Sequence, residues 1–525
     1  LLPASSGVLL TLCFPPFNIW PFVFVFLIPL LISIYYAGNK EEFCSFRDKK
    51  NFCLSKSALL KGFVAGFAFF FLLMWWVAPT ISQYGNLPIY LSYPVVMILT
   101  GYLAVFFAIW AGFADFLLNH NNYKKNIYKI LFLSALWVLL EWIRGHFLSG
   151  LPWGIIAYSL DKFPPFIQTA EIWSVYGISF FIIAFNLLIF FIIFDLNLSK
   201  KKKISYFAII LLFWVGLYFY GAYSVNKYSA LFDKNRTIYA GAVQGAIPQD
   251  VKWDREFQWH TLDVYAKLSK NIRDNLPEEK IFLVYPETAM PFYLQEPTML
   301  RQGIESIPGA LNLYLLTGSP YYELDSNKKK NDRNSAFLFK PDRTVAGRHD
   351  KYHLVPFAEY IPFGSLLTWT RKFLPTAGDF ISGDGVKPIT ADELKAGVLI
   401  CFESIFPEIS GELAAKGANI ITIITNDAWF GKTGAPYQHE QFAVFRAIET
   451  RKWVIRSANT GISSIITPFG ARTGQTELFK QDVVIAKICL MENKTIWAKY
   501  GDWIPLIFCV IIFIFSIIDF KRRSP

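Results

Sequence analysis

Residues 398–408 read Val398-Leu-Ile-Cys401-Phe-Glu403-Ser-Ile-Phe-Pro-Glu408. A short apolar, partly β-branched run of this kind predicts a buried strand, and the Pro-Glu that follows predicts the first turn of a helix. Cys401 therefore falls where a strand ends and a helix begins. A side chain on such a turn is presented at the rim of a sheet, where backbone amides and the helix N-terminal dipole favour a thiolate. A free cysteine in isolation is more often a buried core residue, so a nucleophile has to be argued from its partners.

Two other stretches supply them. Phe282-Leu-Val-Tyr-Pro-Glu287 ends a second apolar strand in a carboxylate, the group that a thiol needs as its base. Arg348-His-Asp-Lys351-Tyr-His-Leu-Val-Pro-Phe-Ala-Glu359 carries an ammonium able to stabilise a tetrahedral oxyanion. Taken singly, a strand-end Glu is usually a cap or a surface charge, and a lone Lys is usually solvated. Together they form a nucleophile, a base and an oxyanion stabiliser for covalent acyl chemistry. Around them, strand patterns at 236–243, 280–285, 311–317, 335–339, 397–401, 420–425 and 462–467 alternate with helical patterns at 254–275, 407–416 and 435–455. Residues 327–334 read as a polar loop. The alternation predicts a sheet covered by helices, in a domain spanning 235–495.

The rest of the chain is of another kind. Only 17% of the 525 residues are charged and 54% are apolar, where a soluble protein carries about a quarter charged. The deficit is concentrated in residues 1–225 and 503–520. Apolar runs near 19–37, 60–80, 90–117, 127–144, 173–195, 204–222 and 503–520, with a Pro-interrupted segment at 3–17, predict a polytopic α-helical bundle of about eight spans. No small-residue cleavage site follows 3–17 before the next run, so that segment is expected to be retained rather than removed as a signal peptide.

Basic residues orient the spans. Loop 38–61 carries Lys40, Arg47, Lys49, Lys50, Lys56 and Lys61, loop 118–129 carries Lys124, Lys125 and Lys129, Lys200 to Lys203 are consecutive, and Lys521-Arg522-Arg523 lies near the C-terminal end. The alternate loops are nearly empty of them. The positive-inside rule makes the basic loops and the C-terminus cytoplasmic and places 235–495 outside the cytoplasm. The net charge of +11 follows from that topology and calls for no nucleic-acid partner. The six cysteines and six histidines show no metal-ligand spacing. No metal or organic cofactor is expected, because the three groups supply nucleophile, base and oxyanion stabiliser themselves.

The order Glu287, Lys351, Cys401 with these flanks resembles the nitrilase (carbon–nitrogen hydrolase) superfamily, as does Thr425-Asn-Asp-Ala-Trp429-Phe430-Gly431 followed by Gln438-His439, Arg446, Glu449, Arg451 and Asn459-Thr-Gly461. Set among spans, and with Glu141-Trp142-Ile-Arg144-Gly145, Leu151-Pro152-Trp153-Gly154 and Val243-Gln-Gly-Ala-Ile-Pro248 leading to Trp253, the whole chain is similar to the apolipoprotein N-acyltransferase family of bacterial cytoplasmic membranes. The resemblance implies an αββα sandwich and a ping-pong reaction. Cys401 would take an acyl chain from a phospholipid as a thioester and pass it to the amino group of a diacylglyceryl-cysteine on a lipoprotein. Glu287 would be the base, Lys351 would hold the oxyanion, and Glu359 and Glu403 would support them, with Trp253 at the substrate entrance. One departure is Phe402, where the family often carries Tyr, so a hydroxyl there has no counterpart in this chain.

Four further positions are candidates for lipid contact: Arg144, Trp153, Trp429 and Phe430. Glu141 and Arg144 share a helix face, where they are expected to form a structural ion pair or, for Arg144, to hold a lipid phosphate. The apolar stretch 366–381 reads either as a mobile lid or as a loop packed on the domain. Two rival functions use the same sequence: an anchored amidase with water as acceptor, and a non-catalytic transporter or scaffold. One span suffices for an anchor, and intact Glu287, Lys351 and Cys401 argue against a degenerate domain.

Overall fold

The computed structural model describes residues 1–37, 54–85, 87–120, 126–195, 198–232, 234–362, 364 and 378–521. Most of the basic loop 38–61, Lys124, Lys125, Arg522, Arg523 and most of the 366–381 stretch lie outside the described residues. The chain forms two units: Leu1–Pro79 with Pro88–Ala222 and Asp502–Pro525, and Thr80–Leu87 with Tyr223–Gly501.

Among the described residues, five helices are long and apolar enough to cross a membrane: Lys56–Met74, Ile89–Asn119, Asn126–Ser149, Ala170–Phe194 and Lys200–Ser229, the last running past the first unit's boundary at Ala222. Shorter apolar helices occupy Leu2–Leu12, Trp20–Tyr36 and Trp503–Ser516. With little water to bond, polar side chains in such a bundle go to neighbouring backbone. Asn186 donates to Val23 O (2.8 Å) and accepts from Leu27 N–H (3.0 Å), holding the irregular 20–28 segment, and Trp110 Nε1 donates to Leu133 O at 2.9 Å. Lys200–Ser229 differs from the others. Its apolar window is 6% buried, against 44–61% for the other four, so Phe207, Leu212 and Phe219 face outward as on a helix surrounded by an apolar solvent.

Among the described residues the second unit contains twelve strands: β1 (Thr237–Gln244), β2 (Ile281–Val284), β3 (Tyr314–Leu324), β4 (Lys330–Phe339), β5 (Val345–Asp350), β6 (Ile389–Ala391), β7 (Leu394–Ile400), β8 (Ile420–Thr425), β9 (Val454–Ala458), β10 (Ser464–Ile466), β11 (Arg472–Gln475) and β12 (Asp482–Cys489). They make two six-stranded sheets, ordered β12-β1-β2-β3-β4-β5 and β11-β10-β9-β8-β7-β6. β1–β3 and β7–β9 run parallel, and the remaining pairs are antiparallel.

Alternation along each strand builds the layers. Phe282 and Val284 of β2 enter the core between the sheets, with Ala240, Ala242, Leu316, Val398, Ile400, Ile420 and Ile424. Ile281 and Leu283 face the other way, onto α1 (Arg255–Asn275) and α2 (Met299–Leu311) through Leu262, Tyr265, Ile272 and Ile304. α3 (Pro407–Ala415) and α4 (Ala435–Thr450) pack on the second sheet. The result is the expected αββα sandwich.

Two expectations are corrected. Residues 327–334 were expected as a loop, yet 330–334 belong to β4, which pairs with β3 all the way to Lys330–Leu324. Cross-strand charge holds that end together instead of apolar alternation: Arg333 pairs with Glu323 (3.1 Å), and Lys330 lies 3.9 Å over the Tyr322 ring. The helix expected over 435–455 stops at Thr450 because Arg451 turns left-handed (φ +53°), and β9 starts at Val454. The strained turn is stabilised by the Arg451 guanidinium, which lies 4.4 Å over Tyr228 and donates to Pro468 O.

Candidate active site

Cys401 directly follows β7, Glu287 lies three residues past β2, Lys351 directly follows β5, and Asn426 directly follows β8. Carboxyl ends of parallel strands are where an α/β sheet leaves room for a ligand. Cys401 has φ +52°, a left-handed conformation that costs a residue with a Cβ about 1–3 kcal/mol. It opens a one-turn 3₁₀ helix, Cys401–Ile405. The Phe402 N–H in that first turn has no acceptor among the described residues, which leaves it available to a reacting oxygen.

The base is tightly held. Glu287 Oε1 accepts from Asn334 Nδ2 (2.7 Å) and Oε2 from the Asn426 N–H (2.9 Å). Gly318 makes room for this turn, since a Cβ there would lie 2.4 Å from Thr288 N and 2.8 Å from Glu287 Cα. Lys351 Nζ lies 2.8 Å from Glu359 Oε1 and 3.9 Å from Glu287 Oε1. Glu359 is itself fixed by the Val355 N–H (2.8 Å) and by Asn334 Nδ2 (3.2 Å). Burial alone would pull the Lys351 ammonium down, but Glu359 and Glu287 together hold it above the ordinary lysine value. Burial pushes the Cys401 thiol up, the Glu287 carboxylate adds to that, and Lys351 opposes it. The resting nucleophile is thus a thiol beside a base and a permanent cation.

Glu403 ties two turns together. Its Oε2 accepts from Ile400 N–H (2.6 Å), and its Oε1 accepts from the N–H groups of Tyr352 (2.7 Å) and His353 (3.3 Å). It is fully buried. Burial pushes this carboxyl up, but His349 and the backbone donors outweigh that and hold it below its usual 4.5. A carboxyl depressed by folding stabilises fully above its unfolded pKa and loses that contribution as the pH falls below it. Glu403→Gln is accordingly expected to cost about 3 kcal/mol at neutral pH and progressively less below about pH 4.5. Chemical denaturation of the detergent-solubilised protein at the two pH values checks this, and an equal loss at both would discount the charge.

The other anticipated residues are spread more widely. Trp253 is half exposed in the turn before α1. Trp429 is partly exposed, packs edge-on against Tyr84 at 4.5 Å, and accepts from Thr80 Oγ1 through its carbonyl. Phe430 stands edge-on to His439 at 5.8 Å. Arg144 and Trp153 belong to the helical unit and are buried. Arg144 Nη1 donates to the carbonyls of Leu151 (2.8 Å) and Trp153 (2.6 Å), and Glu141 Oε1 accepts from Ile156 N–H at 3.0 Å. Both charges serve the 151–156 loop. Cys401 and Cys489 are each free, and Cys489 receives Trp453 Nε1 at 3.4 Å.

Three polar neighbours escaped the sequence reading. Asn334 bridges both carboxylates but lies in the half of β4 read as loop. Asn426 stood within the quoted Thr425-Asn-Asp motif, and strand-end placement was its signal. Lys252 is buried, with Nζ 3.3 Å from the Glu287 carbonyl oxygen, and burial pulls its ammonium down to about 8 while Glu287 opposes this. No local pattern marked it.

Comparisons with known proteins agree with both units. Residues 6–188 match the family described as apolipoprotein N-acyltransferase N-terminal domain, and residues 239–493 match carbon-nitrogen hydrolase. The chain is 34% identical to a Geobacter metallireducens protein named apolipoprotein N-acyltransferase, covering 100% of this chain and 96% of that one. A Haemophilus influenzae protein of the same name is 30% identical, with 100% and 95% covered.

Proposed function

The chain belongs to the apolipoprotein N-acyltransferase family, and from that membership we propose that Cys401 carries an acyl chain from a membrane phospholipid to the N-terminal amine of a diacylated lipoprotein. The observation that carries this reading is the convergence of Glu287, Lys351 and Cys401 from the ends of β2, β5 and β7, with Lys351 Nζ 3.9 Å from the Glu287 carboxylate.

In the first half-reaction Glu287 takes the thiol proton as sulfur attacks the phospholipid ester. Lys351 Nζ and the Phe402 N–H receive the oxyanion. Collapse breaks the ester C–O bond, and the proton on Glu287 passes to the departing lysophospholipid oxygen. In the second half the lipoprotein amine attacks the thioester, and Glu287 accepts its proton. The C–S bond breaks, and the proton returns to sulfur. Glu359 keeps Lys351 in place, and Glu403 holds the nucleophile turn against the Lys351 turn. Trp253 is assigned to the substrate entrance, and Trp429 and Phe430 to lipid contact.

Both substrates are held by a bilayer, which suits an enzyme with its own bundle. We read that bundle as about eight spans, adding the three shorter apolar helices to the five long ones. The lysine-rich loops put the C-terminus in the cytoplasm and the catalytic unit on the periplasmic side of the bacterial inner membrane.

Intact-mass spectrometry of the purified protein with phosphatidylethanolamine tests the reading. A hydroxylamine-sensitive gain of one acyl chain, absent in Cys401→Ser, is expected. Folded protein that leaves the lipid intact and gains no mass would remove the phospholipid donor.

A further inference from the structure

Beneath the nucleophile lies a buried polar chain to which the reaction above assigns no task. The Cys401 carbonyl accepts from Ser404 Oγ at 2.8 Å and has His439 Nε2 at 3.3 Å, and Nε2 lies 3.0 Å from Ser404 Oγ. On its other side His439 Nδ1 stands 2.9 Å from Asp427 Oδ1 and 3.2 Å from Arg456 Nη2. Asp427 Oδ1 also accepts from Thr425 Oγ1 (2.8 Å), and its Oδ2 accepts from Arg456 Nη2 (2.7 Å). All these side chains are buried. Burial pushes the Asp427 carboxyl up, yet Arg456 and His439 outweigh it and hold the group at about 2. Gly461 permits the arrangement, since a Cβ there would lie 2.2 Å from Asp427 Oδ2.

Resting on the thioester reading, we infer that His439, oriented by Asp427, is a positioning residue of the nucleophile: it fixes the plane of the Cys401–Phe402 peptide and so aims the Phe402 N–H at the reacting oxygen.

In a trans peptide the C=O and the following N–H point in opposite directions. Clamping the Cys401 carbonyl against Ser404 and His439 therefore projects the Phe402 N–H the other way, and that N–H has no acceptor among the described residues. Cys401 sits at φ +52°, a backbone state that persists only where the surroundings impose it. Asp427 Oδ1, 2.9 Å from Nδ1, fixes the ring's orientation and turns Nε2 toward Ser404 and the Cys401 carbonyl, to which an Nε2–H donates. Without the ring, Ser404 alone holds the carbonyl, and the peptide plane gains freedom. Misaiming one donor by a fraction of an ångström to an ångström costs about 10²-fold in rate.

The test separates aim from mere integrity. Two rates are measured at the Cys401 peptide of the full-length protein by mass spectrometry: acylation by phosphatidylethanolamine and alkylation by iodoacetamide, which forms no oxyanion. His439→Ala is expected to slow acylation about 10²-fold while alkylation stays within about twofold of the parent. Loss of both rates together, or of neither, overturns the inference. Should His439→Ala fail to fold, His439→Gln and His439→Asn decide, because Gln carries its amide near the Nε2 position and Asn near Nδ1. Gln is expected to keep most of the acylation rate and Asn to lose it, and equal behaviour of the two overturns the role. A parent protein that alkylates but never acylates removes the thioester reading and this inference with it. A parent that acylates alongside an unaffected His439→Ala removes only the inference.

Discussion

Glu287→Gln is expected to slow acylation of Cys401 by about 10²–10⁴-fold, and raising the pH to about 9 is expected not to restore it. The expectation follows from the state of the thiol. Burial is the largest influence on Cys401 and pushes its pKa up, and that burial survives the substitution. The thiolate is thus scarce at neutral pH and stays scarce as the solution turns mildly alkaline. Sulfur acquires its charge only as a base removes the proton during attack, so losing the base slows the step itself. The amide also fits the cradle poorly. Glu287 accepts from Asn334 Nδ2 on one oxygen and from Asn426 N–H on the other, and an amide NH₂ opposes one of those donors. Single-turnover acylation followed by intact mass across pH checks the prediction. A rate for Glu287→Gln that climbs tenfold per pH unit to the parent value would mean that a thiolate suffices, and Glu287 would lose its role as base.

The same three strand ends explain how far the sequence could be read. Cys401 and Glu287 each terminate an uninterrupted apolar run, and parallel strands buried on both faces leave that signature wherever they occur. Lys351 follows a strand with no such run, and the antiparallel β5 was not read at all, so the lysine was legible only through the order of the three groups. Asn334 was hidden because β4 at that end is stabilised by Arg333–Glu323 and Lys330–Tyr322 contacts, which read along the chain as polar loop. The overrun of α4 has a tertiary cause. Arg451-Lys452-Trp453 contains no Gly or Pro to stop a helix, and what stops it is a guanidinium resting on Tyr228, more than two hundred residues away in sequence. Lys252 gave no local sign, and His439 stood only within the quoted Gln438-His439 motif with no task marked for it, because their significance lies in the carbonyls they meet, of Glu287 and of Cys401.

Lys351→Met is expected to reduce acylation by about 10³-fold and to destabilise the fold by about 3–5 kcal/mol, and the two losses are expected to part company in a double variant. Lys351 contributes one oxyanion donor, a group whose removal alone slows acyl transfer by about 10²–10³-fold. It also neutralises a pair of carboxylates. Glu287 and Glu359 both accept from the same Asn334 amide nitrogen, and Lys351 is the cation between them. Because its pKa is raised by folding, the lysine's contribution is complete below its unfolded value of 10.5 and is lost only as the pH rises through the still higher folded value. Wild-type stability therefore does not titrate through Lys351 near neutrality. With methionine in its place two like charges share a buried site, and one of them is driven to take up a proton. Lys351→Arg should not repair it, because a planar fork cannot occupy the space of a compact ammonium. Adding Glu359→Gln to Lys351→Met removes the second charge. The double variant is expected to regain most of the lost stability in chemical denaturation while acylating no faster than Lys351→Met. Stability that stays low in the double variant would mean that Lys351 acts through packing rather than charge. Acylation that recovers with it would transfer the oxyanion role to another donor, leaving Lys351 a structural counter-ion.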